Sequence, residues 1–200
     1  MTTGSRTALL SVYHKPGIIN FAKTLVDRGF DLLASGGTAQ VLGEAGLAVT
    51  DVADIVGQPI LGHRVVTLSR EIHAGLLARD VPEDRAELER LKVPWIDLVC
   101  VGLYPLEEAI AHSTASSSVS VVDMTDVGGP TLIRSAAKGR RIVICDPADR
   151  FAVLDWLFYG EQHREQFISQ LVAKAEMTVA KYCLTSALYH QSLALSGDIP

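Results

Sequence analysis

The feature that most constrains this chain is a series of short, nearly unbroken apolar runs separated by segments with helical patterning. Thr7-Ala8-Leu9-Leu10-Ser11-Val12 is the first run, and Gly17 through Leu25 behind it carries Ile18, Phe21, Ala22 and Leu25 at helical spacing. Asp31-Leu32-Leu33-Ala34 repeats the pattern, followed by the turn Ser35-Gly36-Gly37-Thr38 and a helix that starts in Ala39-Gln40-Val41-Leu42 and ends near Gly46. A short strand is expected around Val49 to Val52, a charged amphipathic helix over Asp84 to Leu91, and a deeply buried strand over Ile96 to Val101. Thr131 to Lys138 reads as a helix and Arg141 to Cys145 as a further strand. Strands without a polar face must be covered on both sides, which is the condition of a parallel sheet between helical layers. The expectation is therefore an α/β fold: a three-layer, doubly wound, mostly parallel sheet. Right-handed crossovers would gather the carboxyl ends of its strands on one edge, where such sheets bind ligands.

After Asp146-Pro147-Ala148-Asp149 the pattern turns helical only, over Phe151 to Tyr159 and then Gln162 to roughly Leu195. Phe167, Leu171, Ala175, Val179 and Tyr182 form a stripe on the second stretch that reads as ordinary core or dimer contact. With 200 residues, 48% of them hydrophobic, the chain has material for one substantial core. It is read as one domain over 1–200, with 6–150 as the α/β core and 151–200 as a C-terminal helical extension. The Ser-rich stretch from Ser113 to Ser120 reads as a surface loop.

Composition narrows the function. A net charge of −5 with scattered Lys and Arg disfavours a nucleic-acid surface, which needs concentrated positive charge. The three cysteines, Cys100, Cys145 and Cys183, form no close pair, and the first two sit in apolar runs, so they read as buried thiols in a reducing compartment. The polar start Met1-Thr2-Thr3-Gly4-Ser5 lacks a signal sequence, and no run approaches the roughly 20 apolar residues of a membrane span. A soluble, cytoplasmic protein without membrane or nucleic-acid partners is expected. The histidines lack compact metal-ligand spacing, so no metal site is expected.

Four segments fall where the loops of such a sheet would converge. In Ser11-Val12-Tyr13-His14-Lys15, Ser11 offers a hydroxyl and Lys15 a charge to an anion, against the alternative of a helix cap and a solvent-facing lysine. Ser35, Gly36, Gly37 and Thr38 combine a sharp glycine turn, free amides at a helix start and two hydroxyls, a phosphate cradle unless it is a mere turn. The cradle matches neither the P-loop nor the dinucleotide fingerprint. In the third segment, Gly62 to Arg70, Arg64 and Thr67 supply directed donors, and His73 beyond it is as readily structural as functional. The fourth runs from Asp123 to Thr131 into a helix with Arg134 and Lys138: Asp126 suits a general base or an orienting group, and Val127 and Gly128 suit contact with a carbonyl or developing oxyanion. An exposed charged stripe is the bland reading of that helix. Between them, Gly102-Leu103-Tyr104-Pro105 follows the buried strand, and Tyr104 either donates into the cleft or packs under the turn.

In number, order and spacing these segments resemble the inosine monophosphate cyclohydrolase domain of bifunctional purine biosynthesis proteins, which has a methylglyoxal-synthase-like fold. The resemblance runs from Thr7 to Gln191 and includes Asp146-Pro147-Ala148-Asp149 and the helical tail. It implies closure of 5-formamidoimidazole-4-carboxamide ribonucleotide to inosine monophosphate with loss of water and without a cofactor. Proximity of the two reacting arms supplies much of such a reaction. It also implies that Ser11, Lys15, Ser35, Gly36, Gly37, Thr38 and Thr67 hold phosphate, that Gly102, Val127 and Gly128 contact the ligand, and that Arg64, Tyr104, Asp126 and Lys138 serve catalysis. On this reading Lys138→Ala collapses turnover. A homodimer and a separate formyltransferase are further implied partners.

The chain departs from the family pattern at three places. Val66 stands where the family has a substrate-contacting lysine, Gly102 replaces an asparagine, and Ser69-Arg70 replaces a His-Pro pair. With the phosphate segments retained, these changes imply a related nucleotide and either altered chemistry, such as closure of a purine-like analogue, or a charge supplied by Arg64, Arg70 or Lys138. A non-catalytic purine-nucleotide sensor and a methylglyoxal-synthase-like phosphate lyase are the competing readings.

Overall fold

A computed structural model describes residues 6–61, 65–113 and 120–196. The polar N-terminus, Arg64 and most of the Ser-rich stretch lie outside the described residues.

Five strands form one sheet: β1 (Arg6–Val12), β2 (Phe30–Ala34), β3 (Val49–Asp51), β4 (Ile96–Gly102) and β5 (Ile142–Ile144). Their order is β3-β2-β1-β4-β5, and all four neighbouring pairs run parallel. Each strand lies within a residue or two of its predicted span, because runs such as Leu98-Val99-Cys100-Val101 find partners only between two covering layers. All four of those residues are buried.

Ten residues from Ile18 to Asp27 form α1, whose Ile18, Phe21, Ala22 and Leu25 are the buried ones, the stripe expected from their spacing. The helix α2 is Gly36–Glu44 and α3 is Val52–Val56. Next come α4 (Arg70–Leu77), α5 (Pro82–Leu91), α6 (Leu106–Ala111) and α7 (Gly128–Lys138), with α8 (Asp149–Phe158) and α9 (Arg164–Ser196) last. Helix α1 lies on β2 with α2 and α8 beside it, while α7 lies on β4 and β5 with α4 and α9 against it, giving the three layers. The short helices α3, α4 and α6 were not legible as helices: too few turns separate the glycines, prolines and strands around them for a 3.6-residue period to emerge.

The helical tail is part of this core. Ile168, Leu171, Ala175 and Val179 of α9 are buried in the same apolar cluster as β1 and β4. Lys174 then pairs with Asp146 and Asp149 at 2.8 Å each, which fixes the Asp146-Pro147-Ala148-Asp149 turn at the end of β5 to α9. Burying each large aliphatic side chain contributes about 1.5–3 kcal/mol, so the apolar stripe outweighs this half-exposed ion cluster as the force holding α9 in place.

No helix among the described residues is long and apolar enough to cross a membrane.

Candidate active site

The strand order reverses between β1 and β4. β1 is followed by β2 on one side of it, whereas β4 lies on the other side, so the connecting segments leave in opposite directions and open a crevice at the carboxyl ends. In register, Ser11 faces Val101 and Val12 faces Gly102 there, and the Tyr13 amide donates to the Gly102 carbonyl at 3.0 Å. A cleft of about 1100 Å³ sits on this edge. It is lined by Ser11, Lys15, Ser35, Gly36, Gly37, Thr38, Val66, Thr67, Gly102, Tyr104, Asp126, Val127 and Gly128, which come from the four sequence-predicted segments and the Gly102 turn.

One end of the cleft is the start of α2. Gly36 takes φ 43°, a left-handed conformation that disfavours a side chain, and no atom lies within 4 Å of where its Cβ would stand. That conformation turns the chain from β2 into the helix and leaves the first amides without intrahelical acceptors. The cap residue Ser35 does not bond its own helix; its hydroxyl lies 2.8 Å from that of Ser11 on the neighbouring strand. Thr38 has a different task from the expected one. Its buried hydroxyl accepts from the Val12 amide at 3.2 Å and lies 3.3 Å from the Val12 carbonyl, so it clasps α2 to β1. Lys15 lines the cleft with its ammonium folded onto the Val12 and Tyr13 carbonyls, and burial lowers its pKa.

The other end is the start of α7. The Asp126 carboxylate accepts from the Gly129 amide at 2.8 Å, and the amides of Tyr104 and Gly128 also turn toward it. Burial nevertheless wins over these donors and holds its pKa above the ordinary carboxylate value. Tyr104 stands alongside, its ring 5.1 Å from that of Tyr13; burial first, then the charge of Asp126, raises its phenol above the usual value. A proton acceptor with a raised pKa and a phenol that stays protonated thus occupy one wall. The amides of Gly128 and Gly129, expected as donors to an oxyanion, are instead turned to the Asp126 carboxylate.

Among the predicted residues, Lys138 is not brought to the cleft. It is the last residue of α7, ten residues and about 15 Å of helix rise from Gly128, and its side chain is exposed. A helix with its N-terminus at the site points its C-terminal residues away from it, which the shared face with Arg134 did not reveal. Arg134 pairs with Glu176 of α9, again outside the cleft. His73 is not among the residues lining the cleft; its Nδ1 lies 2.8 Å from the Ser135 hydroxyl between α4 and α7. Arg64 lies outside the described residues. No group of His, Cys, Asp and Glu among the described residues is arranged to hold a metal ion.

Sequence reasoning missed Gln40, Asp51 and Asp54, which line the cleft beyond the α2 start. Asp51 was visible only as the end of a strand; it also caps α3 by accepting from the Ala53 amide at 2.9 Å. Tyr182, read as one rung of an apolar stripe, instead directs its hydroxyl at the loop of Asp126.

Fold and cleft together define an open parallel α/β domain with a cleft at its switch point. The chain belongs to the MGS-like domain family, which its residues 17–131 match, and it is homologous to the cyclohydrolase domain of bifunctional purine biosynthesis proteins. It is 51% identical over 149 residues to a relative from Nostoc punctiforme, the bifunctional purine biosynthesis protein PurH; the match covers 72% of this chain and 29% of that one. The chain therefore spans less than a third of that relative's length. A solved structure, the crystal structure of ForH, is similar with a TM-score of 0.78 and 31% identity, covering 93% of this chain and 97% of the other.

Proposed function

We propose that the protein closes a ring on a phosphorylated formamido-imidazole-carboxamide ribonucleotide, or a near analogue of it, with loss of water. The observation that carries this reading is that an amide-and-hydroxyl cradle at the start of α2 and a carboxylate–phenol wall at the start of α7 line one cleft. A monophosphate at Ser35 to Thr38 leaves the base end of the ligand beside Asp126 and Tyr104. Family membership and the match to a purine biosynthesis protein support the substrate class.

In the reaction, the carboxamide nitrogen attacks the formyl carbon and the new nitrogen–carbon bond closes the ring. Asp126 accepts the proton that the nitrogen loses. Tyr104 donates to the former formyl oxygen; the protonated Asp126 then passes its proton to the resulting hydroxyl, the carbon–oxygen bond breaks and water departs, and the formamido nitrogen forms the ring C=N bond as it returns its own proton to the Tyr104 phenolate. Held in the cleft, the two arms react within one molecule, so orientation supplies a large share of the acceleration. Lys15 and the donors of the α2 start oppose the phosphate charge. Because Val66 and Gly102 carry no polar side-chain group where the family pattern has a lysine and an asparagine, the base end offers fewer polar contacts, so a near analogue stands beside the ordinary precursor as substrate. We further propose that the protein acts as a homodimer in the cytoplasm and takes its substrate from a formyltransferase activity.

The test is to mix the protein with 5-formamidoimidazole-4-carboxamide ribonucleotide and follow ring closure by ultraviolet absorbance. Acceleration over the uncatalysed rate is the expected result. Tight binding without acceleration overturns ring closure of this substrate and favours a nucleotide sensor; formation of methylglyoxal from a triose phosphate favours a lyase.

A further inference from the structure

We infer that Tyr182 is a positioning residue for this reaction: from α9, its hydroxyl bridges two main-chain groups of the segment that carries Asp126 and so fixes where that carboxylate stands. The inference rests on the proposed reading, in which Asp126 is the proton acceptor.

The Asp126 amide donates to Tyr182 Oη at 2.7 Å, and Tyr182 Oη donates to the Met124 carbonyl at 3.1 Å. These contacts join residues 56 and 58 positions apart. The segment they hold is a run of turns with short internal ties: the Met124 amide donates to the Ser120 carbonyl, and the Thr125 amide to that of Val122. Among the described residues, the main chain of 120–127 makes no other hydrogen bond to a partner outside the segment and α7. Without Tyr182 the main chain of this segment would keep hydrogen bonds to the rest of the described structure only at its α7 end, leaving buried Val121 and the amide contacts of the carboxylate itself to hold Asp126.

The ring itself is poorly placed for a packing role. Tyr182 is half-buried, and with Thr178, Lys181 and Thr185 it lines a second cavity of about 320 Å³ between α6 and α9. A phenylalanine would fill the same space, so the hydroxyl carries the specific contribution. It contacts main chain only, which makes Tyr182 a positioning rather than a catalytic residue. The groups that face the Asp126 carboxylate are Tyr104, Tyr182 and the amides of Tyr104, Gly128 and Gly129, while Cys183 is the other titratable group beside Tyr182.

Tyr182→Phe tests the inference. The expected result is a kcat lowered about tenfold or more, since the substitution removes both hydrogen bonds of the hydroxyl, with KM within about twofold because the cradle at the α2 start is untouched. In an Asp126→Asn background the same substitution should change the residual rate by less than about twofold, since its effect passes through that carboxylate. The Asp126 carboxyl, followed by carbon NMR, should titrate at lower pH in Tyr182→Phe, because a loosened loop admits water to it. Unaltered kcat together with an unaltered titration overturns the inference, as does an equal fall in rate with and without Asp126. If the wild-type protein closes no ring, the proposed function fails, and the titration alone still decides whether Tyr182 sets the environment of Asp126.

Discussion

The Gly129 amide donates to Asp126 Oδ1 at 2.8 Å, and a β-carbon on Gly129 would stand only 2.4 Å from the other carboxylate oxygen. The same β-carbon would lie 2.6 Å from Leu103 Cδ2, so neither neighbour can yield without shifting the other. The start of α7 therefore accepts a carboxylate in this position only because residue 129 has no side chain.

Gly129→Ala should displace Asp126 from the cleft wall. The expected outcome is a fall in kcat of about a hundredfold, the cost of misplacing a reacting group by roughly an ångström. Affinity for inosine monophosphate, read by calorimetry, should change far less, since the phosphate end is remote. Equal loss of binding and turnover would place the ligand elsewhere.

Asp126→Asn separates stability from activity. Burial raises the folded pKa of Asp126 above its unfolded value, so its contribution to stability is present below the unfolded pKa and is lost as pH rises through the folded one. At neutral pH the ionised carboxylate is a net cost, and Asp126→Asn should raise Tm at pH 7 while abolishing most turnover. The gain should disappear in acid. In the wild type, the acid limb of the kcat profile should lie above the ordinary carboxylate value and should be absent from the variant.

Ser35→Ala removes the hydroxyl that faces Ser11 at the phosphate end. Weakening of nucleotide monophosphate binding by up to about tenfold, with kcat retained, is the expected pattern for a uniform binding contact. The corresponding nucleoside, which has no phosphate, should bind wild type and variant alike.

Val66→Lys places a cation in the cleft where the chain has a half-buried aliphatic residue. An ammonium there would stabilise the ionised form of Asp126 and the charge that develops on the leaving oxygen, so ring closure of the ordinary precursor should quicken by about tenfold or more. An unchanged rate would show that the wild-type cleft already serves that substrate.

Lys138→Ala is expected to leave turnover within about twofold, because Lys138 ends α7 on its exposed face about 15 Å from Gly128. A collapse in turnover, followed by the same absorbance assay, would mean that Lys138 reaches a cleft from a second copy of the chain.

The sheet was legible because its strands are apolar throughout: Leu9 and Val99 have no polar alternative to burial. The two ends of the cleft were legible for a different reason. Ser35-Gly36-Gly37-Thr38 and Asp126-Val127-Gly128-Gly129 each join a glycine pair to a helix start, and little else in a sequence does so. What stayed hidden were distances through space. Lys138 shares a helix with the site but not a location, and Thr38 spends its hydroxyl on Val12, both facts set by helix direction and packing. Tyr182 fits an apolar period as well as any leucine would, and only the folded chain shows where its oxygen goes.

The cleft draws on β1 at one extreme of the sequence and, through Tyr182, on α9 near the other. The wall that carries Asp126 is thus assembled from segments more than fifty residues apart, and it is complete only when α9 is docked on the sheet. A partial detachment of α9 would accordingly loosen the Asp126 loop while leaving the start of α2, which is clasped to β1 through Thr38, in place.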